Sequence, residues 1–320
     1  MKALAQWWTG ADLPLPGPKN EGTASLYPYL AEYAPSQPLV PQRTPDVQLN
    51  WLEQIITATS TPQMYVDTPQ IQGVRTQTRH LRFTQKEQTV IDTLALEDAW
   101  FFRLNHITIE PGCTLTWVVL PQSVGTTHCL QSTHFHLGTG ATLKLIQCHG
   151  AYTVSYQNQF IHLKGEHTKF EEHSLFFPTQ HNLVSYDSKV IATAPNANID
   201  QQLRSAAFSG KVHIVGNIHI QQTATNADAN FNHQGLILAD KAAIQAYPQL
   251  NIDTDTVRCT HSNGIGPLDK QVLQYIGSRG WAKEQARNLY LMSFLSPVTK
   301  VLATYPQAHQ VLDLVHLPTE

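Results

Sequence analysis

The stretch that decides the fold is Pro111-Gly112-Cys113-Thr114-Leu115, with its near repeat Thr139-Gly140-Ala141-Thr142-Leu143 following 28 residues later. The same pattern of a turn, a small residue, a gap and an apolar residue returns at 195–199, after twice that interval, and again at 225–229. Such a repeat is typical of a β-solenoid, whose coils stack small residues at the corners and aliphatic side chains inside. A sandwich with hairpins of equal length could also produce this spacing, so both architectures stay open on the repeat alone.

Around this repeat, short runs of alternating apolar and polar residues follow one another from about residue 71 to residue 262. The runs at 100–109, 143–148 and 212–220 are rich in β-branched and aromatic residues and are bounded by Gly, Pro, Asn or Asp. A period of two indicates half-buried strands. We therefore predict a mostly β protein in which residues 71–262 form the β core, for which the repeat favours a solenoid over a sandwich.

The two flanks differ from this core. Residues 1–70 begin with dense prolines, which predict an irregular arm, and Asp46 could cap one short helix within it. Residues 263–320 have helical spacing and form a predicted C-terminal helical domain. Gly280 suits the cap of a first helix, whose apolar face consists of Leu268, Val272, Tyr275 and Ile276. Pro297 is expected to end a second helix, whose stripe consists of Ala286, Leu289, Tyr290 and Phe294.

The composition argues against several classes of protein. The chain has 320 residues, a net charge of −3 and scattered basic residues, so we expect no nucleic-acid partner. No apolar run approaches the roughly 20 residues that a membrane span needs, and no signal peptide is recognisable. Four cysteines are too few for a disulfide scaffold. We therefore predict a cytoplasmic protein without a membrane partner.

The motif richest in chemistry is Asp255-Thr256-Val257-Arg258-Cys259-Thr260-His261, a strand-like run that ends in a cysteine and a histidine. Side chains two residues apart on a strand share one face, so Cys259 and His261 lie roughly 7 Å apart. Thiolate and imidazole both bind transition metals, so the pair is a candidate site for iron or a cluster. The alternative is an ordinary strand end with a buried cysteine and a hydrogen-bonded histidine.

Other constellations predict enzymes. His134 and His136 resemble the H-x-H of a metal-binding cupin, but the glutamate that this pattern needs does not follow. Glu166-His167 and 171–173 could supply acid–base pairs to a carbohydrate-active solenoid enzyme, although few carboxylates cluster near them. A solenoid or cupin-like enzyme is therefore the rival to a binding role for the C-x-H motif.

Further motifs accompany the cysteine–histidine pair in a fixed order. They are F-S-G-K-V-H-I at 208–214, P-Q-L-N-I at 248–252, G-P-L-D at 266–269 and L-Q-Y-I-G-S-R-G at 273–280. Together they make the segment 204–294 resemble the SufB/SufD family of scaffold proteins for iron–sulfur cluster assembly. The SufB branch carries a glutamate directly after the histidine, where this chain has Ser262, so the resemblance is to the SufD branch.

This resemblance implies a right-handed parallel β-helix with helical ends and a non-catalytic scaffold role. It implies pairing through the β-helix with a SufB-like subunit or a second copy of the chain. His261, and with it Cys259, would hold a transient iron–sulfur cluster or iron at the shared interface, and participation of a flavin stays open. A SufC-like ABC ATPase would dock on the C-terminal helices, for which the predicted contact residues are Leu268, Tyr275, Arg279, Gly280, Ala286, Leu289 and Tyr290.

Overall fold

The computed structural model describes residues 51–53, 63–67, 73–178 and 182–308. These residues form a parallel β-helix of two eight-stranded sheets, followed by two helices, which confirms the mostly β solenoid and excludes the sandwich. The first sheet consists of β1 (Trp51–Glu53), β3 (Gly73–Phe83), β5 (Ala99–Ile109), β7 (His128–Leu137), β9 (Val154–Leu163), β11 (Leu183–Ala192), β13 (Lys211–Ile220) and β15 (Ala243–Ile252). The second consists of β2 (Gln63–Asp67), β4 (Glu87–Glu97), β6 (Thr114–Val124), β8 (Thr142–His149), β10 (Lys169–Phe176), β12 (Asn198–Ala207), β14 (Ala227–Ile237) and β16 (Val257–Pro267).

The chain ends in helix α1 (Lys270–Ser278), helix α2 (Lys283–Leu302) and a 3-10 turn (Pro306–Ala308). The last strand continues to Pro267, beyond the boundary predicted at residue 262, because its glycines at 264 and 266 pair in register with β14. Residues 1–50 lie outside the described residues, whereas β1 and β2 show that the arm predicted over 1–70 is not irregular throughout. The short helix predicted after Asp46 was expected to include Trp51 and Leu52, and this part of the prediction was wrong, because both residues pair with β3 as a strand. Neither helix of the described part has the length and apolar character that a bilayer crossing requires.

Residues with a left-handed backbone conformation recur at equivalent turns of successive coils, and they account for the sequence repeat. In five successive coils the turn from the first sheet to the second contains one residue with a positive φ, namely Gly112 at 70°, Gly140 at 66°, His167 at 57°, Asn196 at 60° and Asn226 at 56°. Each donates its backbone N–H, at 2.6–3.1 Å, to a carbonyl of the next coil, on Thr139, Glu166, Pro195, Thr225 and Thr256 respectively. Glycine and asparagine tolerate this conformation best, which explains the repeat visible in the sequence. One coil does not show the sequence repeat, because its residue with positive φ is His167 and not a glycine or an asparagine.

The interior of the β-helix has an apolar side and a polar side. Apolar side chains stack in register along the first sheet, in rows such as Leu81, Ile107, Phe135, Ile161, Val190 and Ile218. On the polar side the buried Glu172 accepts hydrogen bonds from the hydroxyls of Ser174 and Tyr186, both at 2.5 Å, and from Gln201 at 2.6 Å. Burial raises the pKa of Glu172, against the effect of these donors.

An ion cluster closes the polar side near the first coils. Asp92 on β4 accepts a hydrogen bond from Arg79 at 2.6 Å, and its two carboxylate oxygens accept from Nη1 of Arg103 at 3.1 and 3.2 Å. All three residues are buried. Asn105 and Gln77 accept from the Nε atoms of the two guanidinium groups, so further hydrogen-bonding capacity of the buried cations is satisfied.

Helix α2 covers the outer face of the second sheet, where Leu291, Leu295, Val298 and Leu302 pack in one buried cluster with Val118, Ile146, Leu175, Ala206 and Leu236. The prediction that Pro297 ends this helix was wrong, because the helix continues to Leu302. A proline inside a helix costs about 3 kcal/mol. Burial of Val298 and Leu302, both fully enclosed, contributes about 1.5–3 kcal/mol each and outweighs that cost.

Candidate functional site at the open end of the β-helix

The last coil consists of β15 and β16, and it is the end of both sheets. Among the described residues no strand pairs with the outer edge of either one. Side chains of the last coil whose register partners are buried in earlier coils therefore have no further coil to cover them. Ile252 is 42% exposed although its register partner Ile220 is fully buried, and Ile265 on β16 is 37% exposed. An uncovered sheet edge with apolar side chains beside it is suited to association with another protein chain.

Cys259 and His261 lie on this last coil. Their register partners on β14 are Ala229 and Phe231, which are both core residues, so both side chains belong to inward-facing rows. Nothing stacks over them in the described part of the chain, and His261 is exposed whereas Cys259 is partly buried. Burial, and then the nearby carboxylate of Asp228, raise the pKa of the Cys259 thiol. The shared face that alternation predicted is thus present, at the accessible end of the core.

Asn263 continues the same inward-facing row, and sequence reasoning missed it. Its Oδ1 lies 2.8 Å from Nδ1 of His233, the fully buried residue beneath it on β14. Nε2 of His233 lies 2.7 Å from the hydroxyl of Ser205. The Asn263 amide also donates to the carbonyl of Ala246 on β15, at 3.0 Å, and so links the two sheets. The alternation of side chains along a strand could have predicted that Asn263 shares the face of His261. No sequence pattern near residue 263 could have predicted the contact with His233.

The predicted docking residues lie on the two helices or in the segments beside them, and several are accessible. None of the residues of α1 is buried, and Tyr275 is 60% exposed. Arg279 donates to the Tyr275 hydroxyl at 3.0 Å and its guanidinium lies over that ring. Gly280 has a φ of 95°, which fits the predicted glycine after the helix. Leu268 packs partly against the cluster under α2.

The α2 residues divide between surface and core. Leu289 is 44% exposed, whereas Ala286 is buried and Tyr290 packs partly against the sheet cluster. Trp281, in the turn between the helices, is 49% exposed and was missed by sequence reasoning. A tryptophan directly after a predicted glycine cap is the signal that could have found it. The helical segment thus exposes several apolar side chains to solvent: Val272, Tyr275, Trp281, Leu289 and Met292.

Comparison with known proteins identifies the family. A family model described as the SufBD core domain of SUF system FeS cluster assembly matches residues 82–294, which is more than half of the chain and includes the last coil. The chain belongs to the SufBD family. The curated relatives that the chain matches include a SufD protein and several SufBD family proteins.

Two relatives give the scale of the similarity to other SufBD proteins. The iron–sulfur cluster assembly protein SufD of Escherichia coli K12 is 26% identical over 161 residues, which cover 50% of this chain and 38% of that protein. An iron–sulfur cluster assembly SufBD family protein of Staphylococcus epidermidis is 28% identical over 151 residues, which cover 47% of this chain and 32% of that protein. The chain thus spans well under two thirds of the length of these curated relatives.

The residues that suggested an enzyme do not converge in this SufBD fold. Glu172 is enclosed in the core, Glu171 and His173 point to the outer face, and His167 occupies a corner. His134 and His136 point outward on either side of the buried Phe135. Cys148 packs in the outer cluster under α2, whereas the neighbouring His149 lies near Gln147 inside the coil. In the described residues no three His, Cys, Asp or Glu side chains form a group that could hold a metal ion.

Proposed function

We propose that this chain is a SufD-like, non-catalytic scaffold subunit that receives a nascent iron–sulfur cluster, or iron, at the open end of its β-helix. A SufB-like subunit would pair with that end, and a SufC-like ABC ATPase would dock on the helical pair α1–α2. We expect the complex to work in the cytoplasm. The observation that carries the proposal is the exposed His261, with Cys259 beside it, on a last coil whose sheet edges lack partners in the described chain.

The pairing is supported by what the last coil leaves uncovered. A strand edge offers a row of backbone donors and acceptors, and a second β-helix could satisfy them by continuing both sheets. The side chains beside the edge support the same geometry, since Ile252 and Ile265 would be buried by one further coil. On the opposite face of β16, the hydroxyls of Thr260 and Ser262 donate to the side-chain oxygens of Asn230 and Asn232. A partner strand could extend these two rows of hydrogen-bonded side chains.

The ligand set supports a cluster shared between two chains. A cysteine thiolate and a histidine imidazole are both competent iron ligands. One strand offers only these two at a spacing of roughly 7 Å, while a stable cluster needs three or four ligands. We therefore assign the remaining ligands to the partner subunit. The raised pKa of the Cys259 thiol favours a protonated, weakly binding cysteine until a cation arrives.

The helical pair supports the docking of a second partner. Its exposed apolar side chains include Tyr275 and Trp281, and aromatic side chains of this kind supply much of the binding energy in protein interfaces. Because α2 is anchored on the sheet by a buried cluster, a force applied to the helices would be transmitted to the β-helix. This is the arrangement that an ATPase needs if it is to remodel the paired scaffold.

Two matched substitutions separate the proposed interfaces. Ile252 and Leu289 are 42% and 44% exposed, and each is an apolar residue outside the core. Ile252→Glu should abolish pairing with the SufB-like subunit and leave ATPase binding intact, and Leu289→Glu should do the reverse. Size-exclusion chromatography of the mixed subunits measures both. If each variant binds both partners as the wild type does, the two interfaces are wrongly assigned.

A third substitution tests the ligand. His261→Ala should leave the complex assembled and lower the yield of cluster formed from ferrous iron and sulfide under anaerobic conditions. An unchanged yield would remove His261 from the site. Turnover of a sugar or a small acid by the isolated chain, with stoichiometric metal and no partner in a pull-down, would instead support the rival enzyme.

A further inference from the structure

The Asn263 side chain has an orientation that its neighbours fix completely. The carbonyl of Ala246 can only accept, so the atom of Asn263 that lies 3.0 Å from it must be the NH2 group. The other atom, 2.8 Å from Nδ1 of His233, is therefore the carbonyl oxygen. It follows that Nδ1 of His233 carries the proton and that Nε2 accepts from the Ser205 hydroxyl, at 2.7 Å.

This orientation directs one N–H out of the open end. In a planar carboxamide the N–H trans to the oxygen is antiparallel to the C=O bond, and the N–H cis to it points away from the backbone. The Asn263 oxygen faces β14 beneath it, while the bonded N–H crosses to β15. The remaining N–H therefore points away from β14, toward the side on which no described strand stacks. Asn263 is itself exposed there.

We propose that Asn263, positioned by the buried pair His233 and Ser205, donates this N–H to a sulfur atom of the cluster that is assembled at His261. The two residues share one inward-facing row at a spacing of roughly 7 Å, which an N–H and an imidazole can bridge through one bound sulfide or thiolate. The inference rests on the proposed function, because it needs a cluster at this coil. It adds a hydrogen-bond donor that binds the anionic sulfur while His261 binds the iron.

His233 is the positioning residue in this arrangement. It is fully enclosed, and burial lowers its pKa to about 4, so the ring is neutral at pH 7 and keeps one donor and one acceptor. With Nε2 accepting from Ser205, the tautomer that donates to Asn263 is the one that satisfies both bonds. Rotation of the Asn263 amide would place its NH2 group against an N–H and its oxygen against a carbonyl, so both partners oppose the flip.

The test uses the complete complex with its SufB-like and SufC-like subunits, loaded anaerobically with ferrous iron and sulfide. Hydrogen bonds to sulfur raise the reduction potential of a cluster. Asn263→Ala and Asn263→Asp, which both lack the N–H, should therefore shift the potential to more negative values and the Fe–S stretching bands to higher frequency. Gln249→Ala is the control, because Gln249 is an exposed residue on the outer face of the same coil, where it accepts a hydrogen bond from Asn217. It should change neither property.

A double-mutant comparison tests the positioning. His233→Ala should reproduce part of the shift, and adding it to Asn263→Ala should produce no further shift, because both changes remove the same donor. A cluster that forms normally in both Asn263 variants with wild-type potential and bands would overturn this inference and leave the proposed function standing. If the wild-type complex forms no cluster, or if His261→Ala behaves as wild type, the proposed function fails and the inference fails with it.

Discussion

Replacement of Asp92 by asparagine tests whether the buried ion cluster supports the first coils. Asp92, Arg79 and Arg103 are 2%, 7% and 1% exposed at their side chains, and the carboxylate is bonded to both guanidinium groups. Asp92→Asn keeps the shape of the side chain but removes the carboxylate charge that faces the two buried guanidinium groups. Removal of one partner from a buried pair costs about 3–5 kcal/mol, which lowers Tm by roughly 6–20 °C in a domain of this size.

The assay is denaturant unfolding followed by tryptophan fluorescence, to which Trp117, a buried ring beneath the Arg79 guanidinium, contributes. Glu110→Gln is the matched control, since Glu110 pairs with Arg82 at 2.5 Å in a bridge whose side chains are 64% exposed at the arginine and 26% at the glutamate. That variant should lose about 1 kcal/mol or less. Equal losses of unfolding free energy in the two variants would refute the reasoning.

The pH dependence gives an independent check of the same cluster. Burial raises the pKa of Asp92, but Arg79 and Arg103 more than reverse this and hold it below the ordinary value of 3.8. A carboxylate with a lowered pKa contributes stability above its unfolded value, and the contribution is lost as the pH falls through the folded value. The difference between wild type and Asp92→Asn should therefore be constant above about pH 5 and shrink below about pH 4.

Three further substitutions or reactions have expected outcomes. Pro297→Ala should raise the unfolding free energy by about 1–3 kcal/mol because it restores a backbone N–H donor inside the helix at an exposed position. Its control Ser296→Ala should change the unfolding free energy by less than about 0.5 kcal/mol, and equal effects of the two variants would contradict this account. Gly140→Val should cost about 1–2 kcal/mol through its φ of 66° alone, since no clash awaits a Cβ there, and Gly140→Asn should cost less because Asn196 and Asn226 occupy equivalent corners. A thiol reagent should label Cys259 first in the native chain, because Cys113, Cys129 and Cys148 are buried and burial raises the pKa of Cys129 and Cys148 to about 12. A bound SufB-like subunit should protect Cys259 from the reagent. Labelling of Cys148 before Cys259 would show that the open end is not where the accessible thiol lies.

The sequence by itself determined the features that depend on neighbouring residues. The period of two over 71–262 predicted the strands, and Gly112, Gly140 and Asn196 marked the corners, because only a few residue types tolerate a left-handed turn. The same local rule put Cys259 and His261 on one face. The helical spacing after Pro267 likewise predicted both C-terminal helices.

Only the tertiary structure decided the features that depend on residues some 30 positions apart. His167 completes the corner ladder although its residue type gave no signal, since the hydrogen bond to Pro195 of the next coil holds it there. Helix α2 passes through Pro297 because the sheet beneath buries its last turn. That Cys259 and His261 lie on an uncovered coil, and that His233 fixes the Asn263 amide, follow from stacking between coils, which brings together side chains that no local pattern connects.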